Sequence, residues 1–282
     1  MKIGVTGATG QLGRLVVENL KQKVAAETIV ALVRTPEKAA DLGVEVRAFD
    51  YTKPESLVAS LQGIDKLLLI SGNEIGQRFP QHQAVIEASK AAGVKQLIYT
   101  SILHADTSTL GLAREHLATE LAIKASGLAY TILRNGWYTE NYTGSAKGAI
   151  DAGAFIGNAG EGKISSAARA DFAEAAAVVL AGEDHQNNIY ELAGDEAYTL
   201  AELAAEISAQ TGKTIPYNDL TETQYADILK SFGLPAGLAD MLADSNTGAS
   251  KGDLFDDSHT LSKLIGHPTT PLAKVLAQAI AN

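Results

Sequence analysis

Residues 2–13 read KIGVTGATGQLG, and the fold follows from how this stretch is built. A short apolar run from Lys2 to Thr6 leads directly into Gly7, Gly10 and Gly13, and apolar residues then recur at helical spacing at Leu12, Leu15, Val16 and Leu20. Strand, glycine turn and helix start in that order form the arrangement at which the pyrophosphate of a dinucleotide binds. Glycines let the chain turn tightly and bring backbone N–H groups close to an anion, whose charge is favoured by the positive end of the helix dipole. The spacing is G-x-x-G-x-x-G and not G-x-G-x-x-G, so the flanking strand and helix carry as much of the inference as the glycines.

Beyond this turn, short β-rich apolar runs alternate with segments of helical period. The strands are expected at 2–6, 28–33, 44–48, 66–70, 96–100 and 129–133, with helices at 80–92 and 114–126 ending near Gly93 and Gly127. Such alternation predicts an α/β fold, a Rossmann-type doubly wound parallel sheet with a smaller, mainly helical C-terminal lobe. The expected division is a nucleotide-binding domain at 1–150, with sheet and helix contributions from about 165–195, and a helical substrate lobe at 196–282. Asp171, with Glu174 three residues on, reads as a helix-starting capping box.

Composition narrows the function classes. The 282 residues are 46% hydrophobic and carry a net charge of −10, which leaves no basic footprint for nucleic acid or an anionic membrane surface. There is no cysteine, so disulfides, thiolate catalysis and iron–sulfur ligation are excluded. His82, His185, His259 and His267 sit at no zinc-ligand spacing, so no metal is expected, and no G-x-S-x-G turn marks a hydrolase. With no apolar run near 18 residues, a cytoplasmic protein is expected, and its composition leaves room for a homodimer.

Arg34, at the end of the second strand, stands where an acid would pair with the ribose 2′-OH of NAD. A guanidinium there suits the 2′-phosphate of NADPH instead, with Lys38 adding positive charge one turn later. Thr35 and Pro36 read as a helix N-cap and first-turn residue. Asp50, closing the third strand, is either near the adenine or simply exposed. Ser71, Gly72 and Asn73 follow the fourth strand, at the carboxyl edge where ligands of this architecture bind. After the fifth strand comes a polar loop with His104 and Asp106, and after the sixth comes the cluster Asn135, Gly136, Trp137, Tyr138, Thr139 and Glu140, the best candidate for the nicotinamide end. Trp137 and Tyr138 read equally well as aromatic packing at a corner, and Asn135 and Gly136 as turn residues.

VTGATGQLG at 5–13, ALVR at 31–34, KLLLISGNEIGQR at 66–78, LRNGWYTENY at 133–142 and SKLIGHPTTPL at 262–272 together resemble the NmrA-like branch of the atypical short-chain dehydrogenase/reductases, and within it the bacterial quinone-reducing group. The resemblance runs nearly the whole chain. It implies phosphate contacts from Gly7, Ala8, Thr9, Gly10, Gln11 and Leu12, a 2′-phosphate contact at Arg34, and a nicotinamide-side wall from Ser71 to Asn73 and from Asn135 to Glu140. It also implies two-electron reduction of a small-molecule quinone by NADPH without a flavin.

Ordinary short-chain dehydrogenases pass a proton through tyrosine and lysine four residues apart. Here none of the nine tyrosines has lysine four residues later. The corresponding helix carries His116 and Glu120 at that spacing, which reads as an exposed i, i+4 pair in preference to a proton relay. Alcohol oxidation is thereby disfavoured. Hydride addition to a quinone yields a delocalised oxyanion that needs binding and orientation more than a strong acid. The expected catalytic set is Asn135 or Tyr138 as donor to the quinone oxygen, with His104 or water supplying the proton. Two alternatives fit the missing pair as well: an NADP-binding redox sensor without catalysis, and a reductase of another conjugated electrophile such as a dye. The helical lobe is expected to form the far wall of the substrate pocket, and Phe155, Phe232 and Leu234 read as core residues in preference to apolar contributors to that wall.

Overall fold

Each expected strand forms; the inner ones are apolar runs buried on both faces of the sheet, whereas the third, Glu45–Ala48, is a half-exposed edge strand with polar residues. The computed structural model describes residues 1–281. Its elements are β1 (Ile3–Thr6), α1 (Gln11–Lys21), β2 (Ile29–Val33), β3 (Glu45–Ala48), α2 (Pro54–Ser60), β4 (Lys66–Leu69), α3 (Arg78–Ala92), β5 (Gln96–Ile102), α4 (Ala113–Ala125) and β6 (Ala129–Asn135). There follow α5 (Thr139–Thr143), α6 (Ala146–Ala152), β7 (Phe155–Gly157), α7 (Arg169–Ala181), β8 (Asn188–Leu192), α8 (Leu200–Thr211), β9 (Tyr217–Asp219), α9 (Glu222–Ser231), α10 (Ala236–Ser250), α11 (Thr260–Ile265) and α12 (Leu272–Ala281).

Seven strands lie in the order β3-β2-β1-β4-β5-β6-β8, and β1 through β6 pair in parallel. The chain winds outward from β1 to β3 and then returns to β4 on the other side of β1. The carboxyl ends of β1 and β4 therefore flank the crevice where ligands bind in open α/β sheets. Alternation along the strands divides the core. Val30, Leu32, Leu67, Leu69, Leu97 and Tyr99 join Leu57, Val85 and Ile86 of α2 and α3 in one buried cluster. Ile29, Ala31, Leu68 and Ile98 are equally buried on the opposite face. Among the helices, α2 packs on α3 and α1 on α7.

Two compact units are distinguished: one comprises residues 1–105, 114–135 and 169–191, and the other 106–113, 136–168 and the chain from Leu192 onward. The first holds most of the large sheet. The second holds helices and a parallel pair, β7 with β9, that helical periodicity did not announce. Thr199 and Thr221 start α8 and α9 with complete capping boxes. Asp171 does not: α7 begins at Arg169, so Asp171 lies inside its first turn and is buried. Phe155 is buried as expected, but Phe232 is 69% exposed and Leu234 only half-buried. Phe232 follows the last residue of α9, where the chain turns toward α10 and offers it no core to enter.

Candidate functional site

Gly7 adopts a left-handed backbone conformation (φ +59°), and its carbonyl accepts the Gly10 N–H at 2.9 Å, closing the turn that leaves β1. Gly10 is the N-cap of α1 and contributes no side-chain cap. Gly13 serves packing: a Cβ there would stand 2.2 Å from the Gly7 carbonyl oxygen and 2.7 Å from Ala8 Cα. Three glycines thus perform a turn, an open helix N-terminus and a close helix-to-turn contact.

Beside this turn is a cavity of about 380 Å³ lined by Gly7, Thr9, Gly10, Arg34, Thr35, Lys38, Phe49, Asp50, Tyr51, Thr52, Ile70 to Glu74 and Gln81. It lies wholly within the first unit. The Arg34 side chain is 72% exposed, with one guanidinium nitrogen 4.0 Å from Glu74. Thr35 precedes a 3₁₀ segment, Pro36–Leu42, but makes no side-chain cap bond. Asp50 accepts both the N–H and the hydroxyl of Thr52; although burial opposes its charge, these donors with Lys53 and Arg34 nearby hold its carboxyl below the ordinary range.

The edge of β4 is pinned residue by residue. Thr6 Oγ1 accepts the Ile70 N–H at 2.9 Å, and Thr100 Oγ1 accepts that of Ser71 at 2.9 Å. The Tyr51 hydroxyl bonds to Thr6 Oγ1 and to the Ile70 carbonyl, and burial raises its pKa. Tyr51, Thr52, Glu74 and Gln81 were not singled out from the sequence. The signal available for the first two was their place directly after β3, two strands from the glycine turn.

Of the other expected residues, Ala8 and Leu12 are buried while Gln11 is exposed. His104 follows β5 with φ +53°; its N–H donates to Glu191 Oε2 at 2.9 Å, and its Nδ1 stands 3.8 Å from the same oxygen. Asn135 ends β6, is buried, and its Oδ1 has no hydrogen-bond partner among the described residues. Gly136 to Glu140 belong to the second unit. The Gly136 N–H donates to the Leu192 carbonyl, and a Cβ at 136 would press on that oxygen at 3.0 Å. Trp137 is buried, half-buried Tyr138 is the N-cap residue of α5, and Thr139 bonds Ser166 Oγ. Glu140 lies in the first turn of α5, half-buried.

His116 and Glu120 are not an exposed pair. Both are buried: His116 Nδ1 meets the Tyr99 hydroxyl at 2.7 Å, while Glu120 accepts Ser101 Oγ at 2.6 Å and a bidentate fork from Arg134 at 2.9 and 2.8 Å. Arg134 also reaches Glu191 at 2.7 Å. Each member of the spacing thus has its own partner on a neighbouring strand. Among the described residues no group of three or more metal-ligating side chains assembles, and no helix is long and apolar enough to cross a membrane.

Comparison with known proteins adds to this geometry. A family described as NAD(P)H-binding matches residues 7–183. Quinone oxidoreductase 2 of Escherichia coli is 60% identical over 275 residues, 96% of each chain. A crystal structure of E. coli QOR2, an NADPH-dependent quinone oxidoreductase complexed with NADPH, superposes with a TM-score of 0.97 at 59% identity, covering 99% of this chain and 100% of that one. Triphenylmethane reductase of Citrobacter sp., complexed with NADP(H), superposes with a TM-score of 0.95 at 40% identity over 99% of this chain and 100% of that one. The glycine turn, the parallel sheet and the whole-length similarity agree: the chain belongs to the NAD(P)H-binding family, among relatives that include quinone oxidoreductase 2.

Proposed function

We propose that this chain is an NADPH-dependent reductase that converts a quinone to its hydroquinone by two-electron transfer without a flavin. The observation that carries this reading is the 60% identity to quinone oxidoreductase 2 over nearly the whole chain. The pocket's own residues fit the nucleotide. Its glycine turn admits a pyrophosphate closely, and the exposed Arg34 guanidinium, 4.0 Å from Glu74 and near Asp50, can exchange these loose ionic contacts for a 2′-phosphate. When bound, NADPH supplies a hydride, and a quinone taking it together with one proton becomes the hydroquinone.

The chain's residues then bind, orient and protonate. Gly7 to Leu12, apart from the Gly10 N–H that closes the turn, offer backbone N–H groups to the pyrophosphate, Arg34 with Lys38 holds the 2′-phosphate, and Ser71 to Asn73 wall the nicotinamide side. Asn135 in the first unit, or Tyr138 in the second, donates to the developing oxyanion. His104, held beside Glu191, or a water supplies the proton. Trp137, Thr139 and Glu140 are the second unit's candidates for nicotinamide-side contacts.

The test is anaerobic NADPH oxidation with 1,4-benzoquinone, counting products. One hydroquinone per NADPH is expected; no quinone-dependent oxidation would overturn the proposal. Replacing Asn135, Tyr138 and His104 without loss of turnover would remove their assigned roles. The similarity to triphenylmethane reductase favours a second reading, reduction of a cationic dye. It becomes the first reading if kcat/KM for such a dye exceeds that for every quinone tried.

A further inference from the structure

The β4–α3 connection lines the cavity through Ser71, Gly72, Asn73 and Glu74, and both polar groups of its central glycine are taken by side chains of α3. Gly72 N–H donates to His82 Nε2 at 2.9 Å, and the Gly72 carbonyl accepts from Arg78 Nε at 2.7 Å. Neither side chain is at the surface: His82 is fully buried and Arg78 nearly so. Arg78 is fixed in turn by Glu115 Oε2 at 3.2 Å, and Glu115 Oε1 accepts the Gly76 N–H at 3.1 Å.

The same network sets the tautomer of His82. The Thr119 hydroxyl donates to the Glu115 carbonyl at 2.8 Å, so its oxygen can only accept from His82 Nδ1, 3.1 Å away. The Nδ1 proton is committed there, and the Nε2 lone pair faces Gly72. Burial and the nearby Arg78 charge push the imidazole down to about 3, so it stays neutral and remains an acceptor. A protonated ring could not accept the Gly72 N–H.

We infer that His82, with its tautomer locked by Thr119, is a positioning residue for the nucleotide: it holds the Gly72 peptide, and so the wall from Ser71 to Glu74, in the conformation that receives NADPH. This rests on the reading of the cavity as the NADPH site. Ser71 and Ile70 are already pinned by Thr100 and Thr6, so the clamp on Gly72 extends the ordered edge outward to the last lining residues.

The test compares wild type with His82→Leu, which has no acceptor, and His82→Gln, whose Oε1 can replace Nε2. NADPH affinity is measured by fluorescence titration, and kcat with benzoquinone is read at saturating NADPH. Losing one buried hydrogen bond predicts about a tenfold rise in Kd and KM for NADPH in His82→Leu, with kcat within about twofold and affinity substantially restored in His82→Gln. Thr119→Val, which removes the tautomer lock at nearly constant volume, should raise Kd in the same direction and serves where His82→Leu does not fold. Wild-type binding of NADPH with unchanged Kd in folded His82→Leu, or in Thr119→Val where that protein does not fold, overturns this inference alone. Failure of wild type to bind NADPH overturns the reading of the site, and this inference with it.

Discussion

At Gly13, side-chain size decides whether the nucleotide turn can exist. With an alanine Cβ only 2.2 Å from the Gly7 carbonyl oxygen, either α1 must lift from the turn or the turn must open. Gly13→Ala is therefore expected to destabilise the protein by about 1–3 kcal/mol, the usual cost of overpacking, and to weaken NADPH binding at least tenfold. Thermal unfolding and a fluorescence titration check both; unchanged stability and affinity would contradict the packing role. Gly13 and Gly7 were legible in the sequence because the demands they meet are local, a close approach and a turn, and so was the place of Arg34 at a strand end, beside the cavity. His116 and Glu120 were not. Their i, i+4 spacing says only that they share a helical face, whereas their burial comes from Tyr99, Ser101 and Arg134 on strands brought alongside by the fold.

Helices α3 and α4 carry more polar function than their apolar spacing suggests. His82 and His116 are both buried and neutral; burial comes first among the causes that hold them below the ordinary imidazole range, followed by the Arg78 charge. An unfolded chain binds a proton at each histidine below about pH 6.5, whereas the folded chain does not until far lower, near pH 3 for His82. Stability is thus fully present above the unfolded value and is lost as pH falls from about 6.5 toward 3. Between pH 7 and 5 the loss from His82 should be about 2 kcal/mol, with His116 adding to it in the same direction. Urea unfolding across that range checks the slope: wild type should lose stability steeply and His116→Gln less so, while a flat wild-type profile would contradict the buried neutral pair. The helices themselves were legible from apolar spacing and from Gly93 and Gly127. Their buried histidines were not, because the acceptors and donors that make burial tolerable lie far away in sequence.

Over the whole chain, alternation of apolar strands with helical segments specified the parallel sheet, and with it the crevice between the ends of β1 and β4. Family resemblance in five motifs pointed to the same relatives that whole-chain comparison returned. What escaped sequence reading was the β7–β9 pair, whose three-residue strands are too short to show a period, and the exposure of Phe232. The most direct measurement is kcat/KM for NADPH and for NADH with benzoquinone under anaerobic conditions, in wild type and in Arg34→Glu. Wild type should reduce the quinone and prefer NADPH by more than about tenfold, and the charge reversal should abolish that preference by repelling the 2′-phosphate while leaving NADH turnover. NADPH that binds tightly yet is oxidised by neither quinone nor dye would contradict the assignment as a reductase.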